Sequence, residues 1–210
     1  FAKYLPEYGW QPHVLTARVQ DVFVRDDSLM HQIPEQVKVV RTPAPDLYGI
    51  YSGRGKRAVD LGAISTSKAG KGSWIQRLAL WVRRTLFIPD ARIGWLPFAF
   101  FRGLEIIRKE KIDIIFATSP PFTTALIGNL LSTFTGIPWI SDYRDPWTQA
   151  YFYFKRPLIS QWIENTWERK CLFHAKKVIS INRIILQGLA DKYRFHDESR
   201  WAIIPNGFDP

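Results

Sequence analysis

Between residues 112 and 204, apolar stretches of strand length alternate with segments of helical periodicity, and the connections between them are short. Parallel strands cannot be joined by a tight turn and need a crossover, so such alternation restricts a chain to βαβ units. Strands are expected at 112–118, 137–141, 178–181 and 201–204. Helices are expected from the Ser119-Pro120-Pro121 start to about Phe134, closed by Gly136, and at 157–176 and 183–193. A further helix is expected at about 97–109. The resulting fold class is α/β, a Rossmann-like, doubly wound parallel sheet.

The two ends and the region before residue 112 are read less regularly. Residues 1–9 suggest the tail of a helix with Gly9 as its cap, followed by a strand near 12–16, so an earlier strand is expected upstream. Ile203-Ile204-Pro205-Asn206-Gly207 reads as a strand running into a turn, and the expectation is a hinge toward a further domain. Residues 17–73 show no clear period, and 52–73, rich in Gly, Ser, Lys and Arg, is expected to be a mobile loop or insertion.

With 210 residues, 46% apolar and 15% aromatic, the chain can bury one full core. Its formal net charge of +10 implies an anionic partner: a membrane surface, a phosphorylated ligand or nucleic acid. Nucleic acid ranks low because no recognised binding motif is present. One cysteine, Cys171, excludes an internal disulfide and favours a reducing compartment. No apolar run approaches the roughly 18 residues a membrane span needs. Any meeting with a membrane is therefore expected to be peripheral, at its cytoplasmic face.

Residues 74–87 place Trp74, Arg77, Trp81, Arg83 and Arg84 at helical spacing, after Lys68 and Lys71. Two readings stand side by side: an amphipathic helix whose stripe faces the core, or a helix lying in an anionic membrane interface.

In an open parallel sheet, ligands bind beyond the C-terminal strand ends, which selects two loops. After the first strand come Thr118, Ser119, Pro120, Pro121, Phe122, Thr123 and Thr124, where hydroxyls and helix-start N–H groups suit a phosphate or sugar. The plainer reading is a serine cap with proline in the first turn. After the second come Asp142, Tyr143, Arg144, Asp145, Pro146 and Trp147. Aromatic faces suit sugar rings, carboxylates suit hydroxyls or act as a base, and arginine suits phosphate. The plainer reading here is an Asp/Arg pair capping a turn over a buried Trp147. Cys171 and His174 are read as structural, and with four histidines and no clustered ligands no metal is expected. No glycine-rich nucleotide loop is present, so no cofactor is expected.

Three segments in order, Ile114-Ile-Phe-Ala-Thr-Ser-Pro-Pro-Phe-Thr-Thr-Ala, Gly136-Ile-Pro-Trp-Ile-Ser-Asp-Tyr-Arg-Asp-Pro-Trp and Ile203-Ile-Pro-Asn-Gly-Phe-Asp, resemble the N-terminal half of group 1, or family 4, glycosyltransferases of bacterial polysaccharide biosynthesis. The match covers most of residues 90–210. It implies a GT-B enzyme with two Rossmann-like domains, this half holding the glycan or lipid-linked acceptor. The other half would bind a nucleotide sugar and carry an E-x7-E motif, a spacing absent here. It also implies transfer with retention, a hinge near 205–210, and no activity for this half alone. Many relatives place a histidine where this chain has Tyr143-Arg144-Asp145. Asp142, Arg144 and Asp145 are the candidates for catalysis, and Thr118, Ser119, Phe122, Thr123, Tyr143 and Trp147 for acceptor binding. The rival class is a non-enzymatic Rossmann-like module that binds an anionic partner.

Overall fold

The computed structural model describes residues 1–18, 31–45, 85, 87–149 and 156–207. The expected loop at 52–73 and the basic aromatic residues Trp74, Arg77, Trp81, Arg83 and Arg84 lie outside these. The elements run β1 (His13–Arg18), β2 (Lys38–Pro43), α1 (Leu96–Glu110), β3 (Ile115–Ser119), α2 (Thr123–Thr135), β4 (Trp139–Tyr143), α3 (Leu158–His174), β5 (Lys177–Ser180), α4 (Arg183–Tyr193) and β6 (Trp201–Ile203).

Strands β3, β4, β5 and β6 pair in that order, all parallel, and each step is crossed by one helix. Strands β1 and β2 form a separate parallel pair. This is the α/β architecture expected of a Rossmann-like domain. The short turn Leu5–Tyr8 is a 3₁₀ helix, capped by Gly9 in the left-handed region at φ 79°. Strand β2 is the element that the sequence did not announce.

Register decides which side chains meet the helices. Ile115 lies opposite Trp139, Ala117 opposite Ser141 and Ser119 opposite Tyr143, while Ser141 faces Val178 and Tyr143 faces Ser180. Ala117, Trp139, Tyr143 and Val178 pack into one cluster with Ala125 and Leu126 of α2, Cys171 and Leu172 of α3, and Leu186 and Leu189 of α4. A second cluster joins Ala99 and Ile107 of α1 to Ile127 and Leu131 of α2, with Leu15 and Ala17 of β1 packed on it. The alternate residues Phe116, Thr118 and Asp142 therefore lie on the opposite face of the sheet.

Helix ends are closed by identifiable groups. Asn182 accepts the Ile185 N–H at 3.0 Å to start α4, and Gly136 at φ 75° ends α2. Arg200 reaches back to the carbonyls of Leu172, Phe173 and Ala175 at the end of α3.

Close packing of α2 on the sheet depends on Gly128. A Cβ there would stand 2.9 Å from the Ala117 Cβ and 2.9 Å from a ring carbon of the fully buried Trp139. Valine and glycine differ little in helix propensity, so Gly128→Val tests packing alone. It is expected to lower the urea unfolding free energy by about 1–3 kcal/mol, and an unchanged midpoint would refute the close approach.

Candidate functional site

The site is built where β3 and β4 end side by side. Thr118 and Asp142 are register partners on the face opposite the one on which α2, α3 and α4 pack, and the Thr118 hydroxyl donates to Asp142 Oδ2 at 2.9 Å. Asp142 is 2% exposed, and burial raises its carboxyl above the usual aspartate range, opposed by the Thr118 hydrogen bond and the Arg144 charge. One residue past the strand, the Arg144 N–H donates to the Ser119 carbonyl at 3.0 Å, carrying the β3–β4 pairing into the loop. The Arg144 guanidinium donates to Asn206 Oδ1. Ser180 Oγ donates to the Tyr143 carbonyl at 2.6 Å, and the Ile204 N–H to the Ser180 carbonyl at 2.9 Å. The three segments that carry the resemblance thus converge at one edge of the sheet.

Of the candidate residues, Thr118 is exposed and Arg144 and Asp145 are half-buried. The others sit differently from what their loop positions suggest. Phe122 and Trp147 stack on each other at 5.1 Å and 9°, and both are buried, as is Tyr143. Their faces are filled by protein, which removes them as stacking platforms for a sugar ring. Here the plainer reading of a buried Trp147 is the correct one. Ser119, 1% exposed, lies 3.1 Å from Thr124 Oγ1 and serves the loop rather than a ligand.

The N-terminus of α2 is likewise already filled. Asp90 accepts from the Thr123 N–H at 2.9 Å and from the Thr123 hydroxyl at 2.8 Å. A carboxylate here satisfies the helix dipole and the orphan N–H, leaving no vacancy for phosphate at Thr123. Asp90 was not legible from sequence, because it lies 33 residues before the group it caps. The cis bonds Ser119-Pro120 and Pro120-Pro121 complete this turn.

The loop from Arg144 to Gln149 is held from beneath. The Thr148 hydroxyl donates to Glu168 Oε2, the Tyr193 hydroxyl does so at 2.5 Å, and Lys192 Nζ stands 3.2 Å from the same oxygen. Gln149 Nε2 donates to the Gly188 carbonyl at 3.0 Å. His174 Nδ1 lies 2.9 Å from Asn129 Oδ1, and Cys171 is buried with its sulfur 3.7 Å from the Ala125 carbonyl.

With this geometry in place, comparison with known proteins is decisive for the class. The family model described as Glycosyltransferase Family 4 matches residues 1–210. The chain belongs to that family. It is a glycosyltransferase domain, and its Rossmann-like α/β fold agrees with one half of a GT-B enzyme. No curated protein matches the chain.

The raised Asp142 carboxyl has a consequence for stability. Its folded value lies above its unfolded one, so burial of the charged form costs stability above the folded pKa. That cost is relieved as pH falls toward the ordinary 3.8. Relative to Asp142→Asn, the wild-type domain is expected to gain stability between pH 7 and pH 4 in urea titrations; parallel curves over that range would contradict the assignment.

Proposed function

We propose that this glycosyltransferase domain is the acceptor-binding, N-terminal half of a two-domain GT-B enzyme of bacterial polysaccharide biosynthesis. A C-terminal partner domain reached through residues 205–210 would bind the nucleotide sugar. The observation that carries this reading is the convergence of Thr118, Asp142, Arg144 and Asn206 at the C-terminal strand ends, where ligands of parallel α/β sheets bind. Family membership supports the chemistry of the reading, and the fold supports its architecture.

In this scheme the bond between the anomeric carbon and the phosphate oxygen of a nucleoside diphosphate sugar breaks, and the electron pair leaves on the nucleoside diphosphate. An acceptor hydroxyl oxygen forms the new bond to the anomeric carbon with retention of configuration, and its proton passes to the departing phosphate oxygen. Arg144 offsets charge on the reacting groups, Asp145 accepts a hydrogen bond from the acceptor, and Asp142 acts with Thr118 to fix the floor of the site. Neither metal nor other cofactor has a role in the scheme.

The acceptor is proposed to be a glycan carried on a membrane lipid, with the enzyme peripheral at the cytoplasmic face. The net charge of +10 and the sequence of Trp74, Arg77, Trp81, Arg83 and Arg84 support that part. Among the described residues, no helix is long and apolar enough to cross a membrane.

The test is turnover of nucleotide sugar by the full-length protein. Arg144→Ala and Asp145→Asn are expected to lower kcat/KM by about 10²–10³-fold in protein that remains folded, since neither side chain is in the core. Wild-type turnover in both variants would remove them from the site. The isolated 210-residue chain is expected to show no transfer, and transfer by it would overturn the two-domain reading.

A further inference from the structure

Far from the strand ends, α1 and α2 share an aromatic surface that the glycosyl transfer scheme does not use. Phe101 is 70% exposed, Phe134 69% and Phe98 41%. The half-buried Phe100 stands between the two most exposed rings, 5.5 Å from Phe101 and 5.2 Å from Phe134, edge-on to both. Phe100 in turn packs on the cluster of Ala99, Ile107 and Leu131. The projecting rings are therefore braced from the core rather than left loose, which lowers the entropy lost when they enter another phase.

Beside them an open groove of about 440 Å³ is lined by Phe101, Leu104, Glu105, Arg108 and Lys109. Arg108 and Lys109 are exposed. The acidic groups nearby have cations of their own: Arg102 pairs with Glu105, and Lys38 with Glu110 at 2.7 Å. Arg108 and Lys109 thus add positive charge at the edge of an apolar surface, on a chain of net charge +10.

We propose that the Phe98, Phe101 and Phe134 surface, with Arg108 and Lys109 at its rim, is a docking face for an anionic lipid bilayer. Single rings that project singly suit a soft headgroup layer better than a flat protein face, and lysine or arginine beside them meets lipid phosphate. The charge selects an anionic rather than a neutral surface. Helix α2 begins at Thr123, in the candidate site, and Phe134 lies eleven residues on, about 17 Å at the helical rise.

The residues of this face are distinct in sequence from 74–84. It uses the peripheral-membrane part of the proposed function but does not depend on that segment. The test is co-sedimentation of the full-length protein with vesicles of phosphatidylcholine alone and of phosphatidylcholine mixed two to one with phosphatidylglycerol. Binding is expected on the mixed vesicles and to weaken with salt. Phe101→Ala with Phe134→Ala is expected to reduce it at least about tenfold in protein that remains folded, since both rings are mostly exposed. Arg108→Gln with Lys109→Gln is expected to reduce it about thirtyfold, roughly fivefold for each cation. Trp74→Ala with Trp81→Ala, run in parallel, separates the two surfaces. Binding that survives both the phenylalanine and the Arg108/Lys109 changes but falls in the tryptophan variant overturns this inference and leaves the segment reading intact. The reverse pattern supports this face and removes the segment. No binding of the wild-type protein to either vesicle overturns both while leaving the transferase assignment untouched.

Discussion

Two carboxylates one helical turn apart on α3, Glu164 and Glu168, are almost wholly shielded from solvent, and a carboxylate cannot stay there without partners. Each draws a different loop onto the helix. Glu164 pairs with Arg156 at 3.2 Å, and Arg156 also donates to the carbonyls of Phe87 and Pro89 at 2.9 Å each. That holds the segment whose Asp90 caps α2. Glu168 collects Thr148, Tyr193 and Lys192, which fixes the loop that carries Arg144 and Asp145. The face of α3 turned inward is therefore a common support for both loops of the candidate site.

Between those supports the loops are also locked to each other. Phe122, just before α2, stacks on Trp147 at the end of the second loop, so the two strand ends cannot shift independently. The aromatic residues that sequence places at a sugar site instead set the spacing of the polar groups above them. This division of labour leaves Thr118, Arg144 and Asp145 as the accessible chemistry, with Asp142 buried behind them. A site needs such rigid support because misplaced groups lose their effect steeply with distance.

How much of this was legible in sequence depended on whether the signal was local. Helix α1 was expected at 97–109 and runs Leu96–Glu110, and α4 was expected at 183–193 and runs Arg183–Tyr193, because periodicity is a property of neighbouring residues. Strand ends slipped by two or three residues: β4 was expected to end at 141 but continues through Asp142 and Tyr143, which turns part of the supposed loop into buried sheet. Strand β2 was missed since Lys38 and Arg41 interrupt its apolar residues and its pairing with β1 is long-range. Asp90, Glu168 and Asn206 were missed as site supports for the same reason, each acting on a partner far along the chain. The aromatics expected to face a sugar, Phe122, Tyr143 and Trp147, are instead buried, because which neighbour covers a ring is set by long-range packing.

The acceptor is proposed to lie over the C-terminal ends of β3 and β4, against Thr118, Arg144 and Asp145. The most direct measurement is a crystal structure of the full-length enzyme with a nucleoside diphosphate and an acceptor glycan bound together. An acceptor hydroxyl is expected within hydrogen-bond distance of Asp145 or Arg144, with the Phe122–Trp147 stack unbroken beneath it. An acceptor bound elsewhere on the domain, with Arg144 and Asp145 facing only solvent, would contradict it.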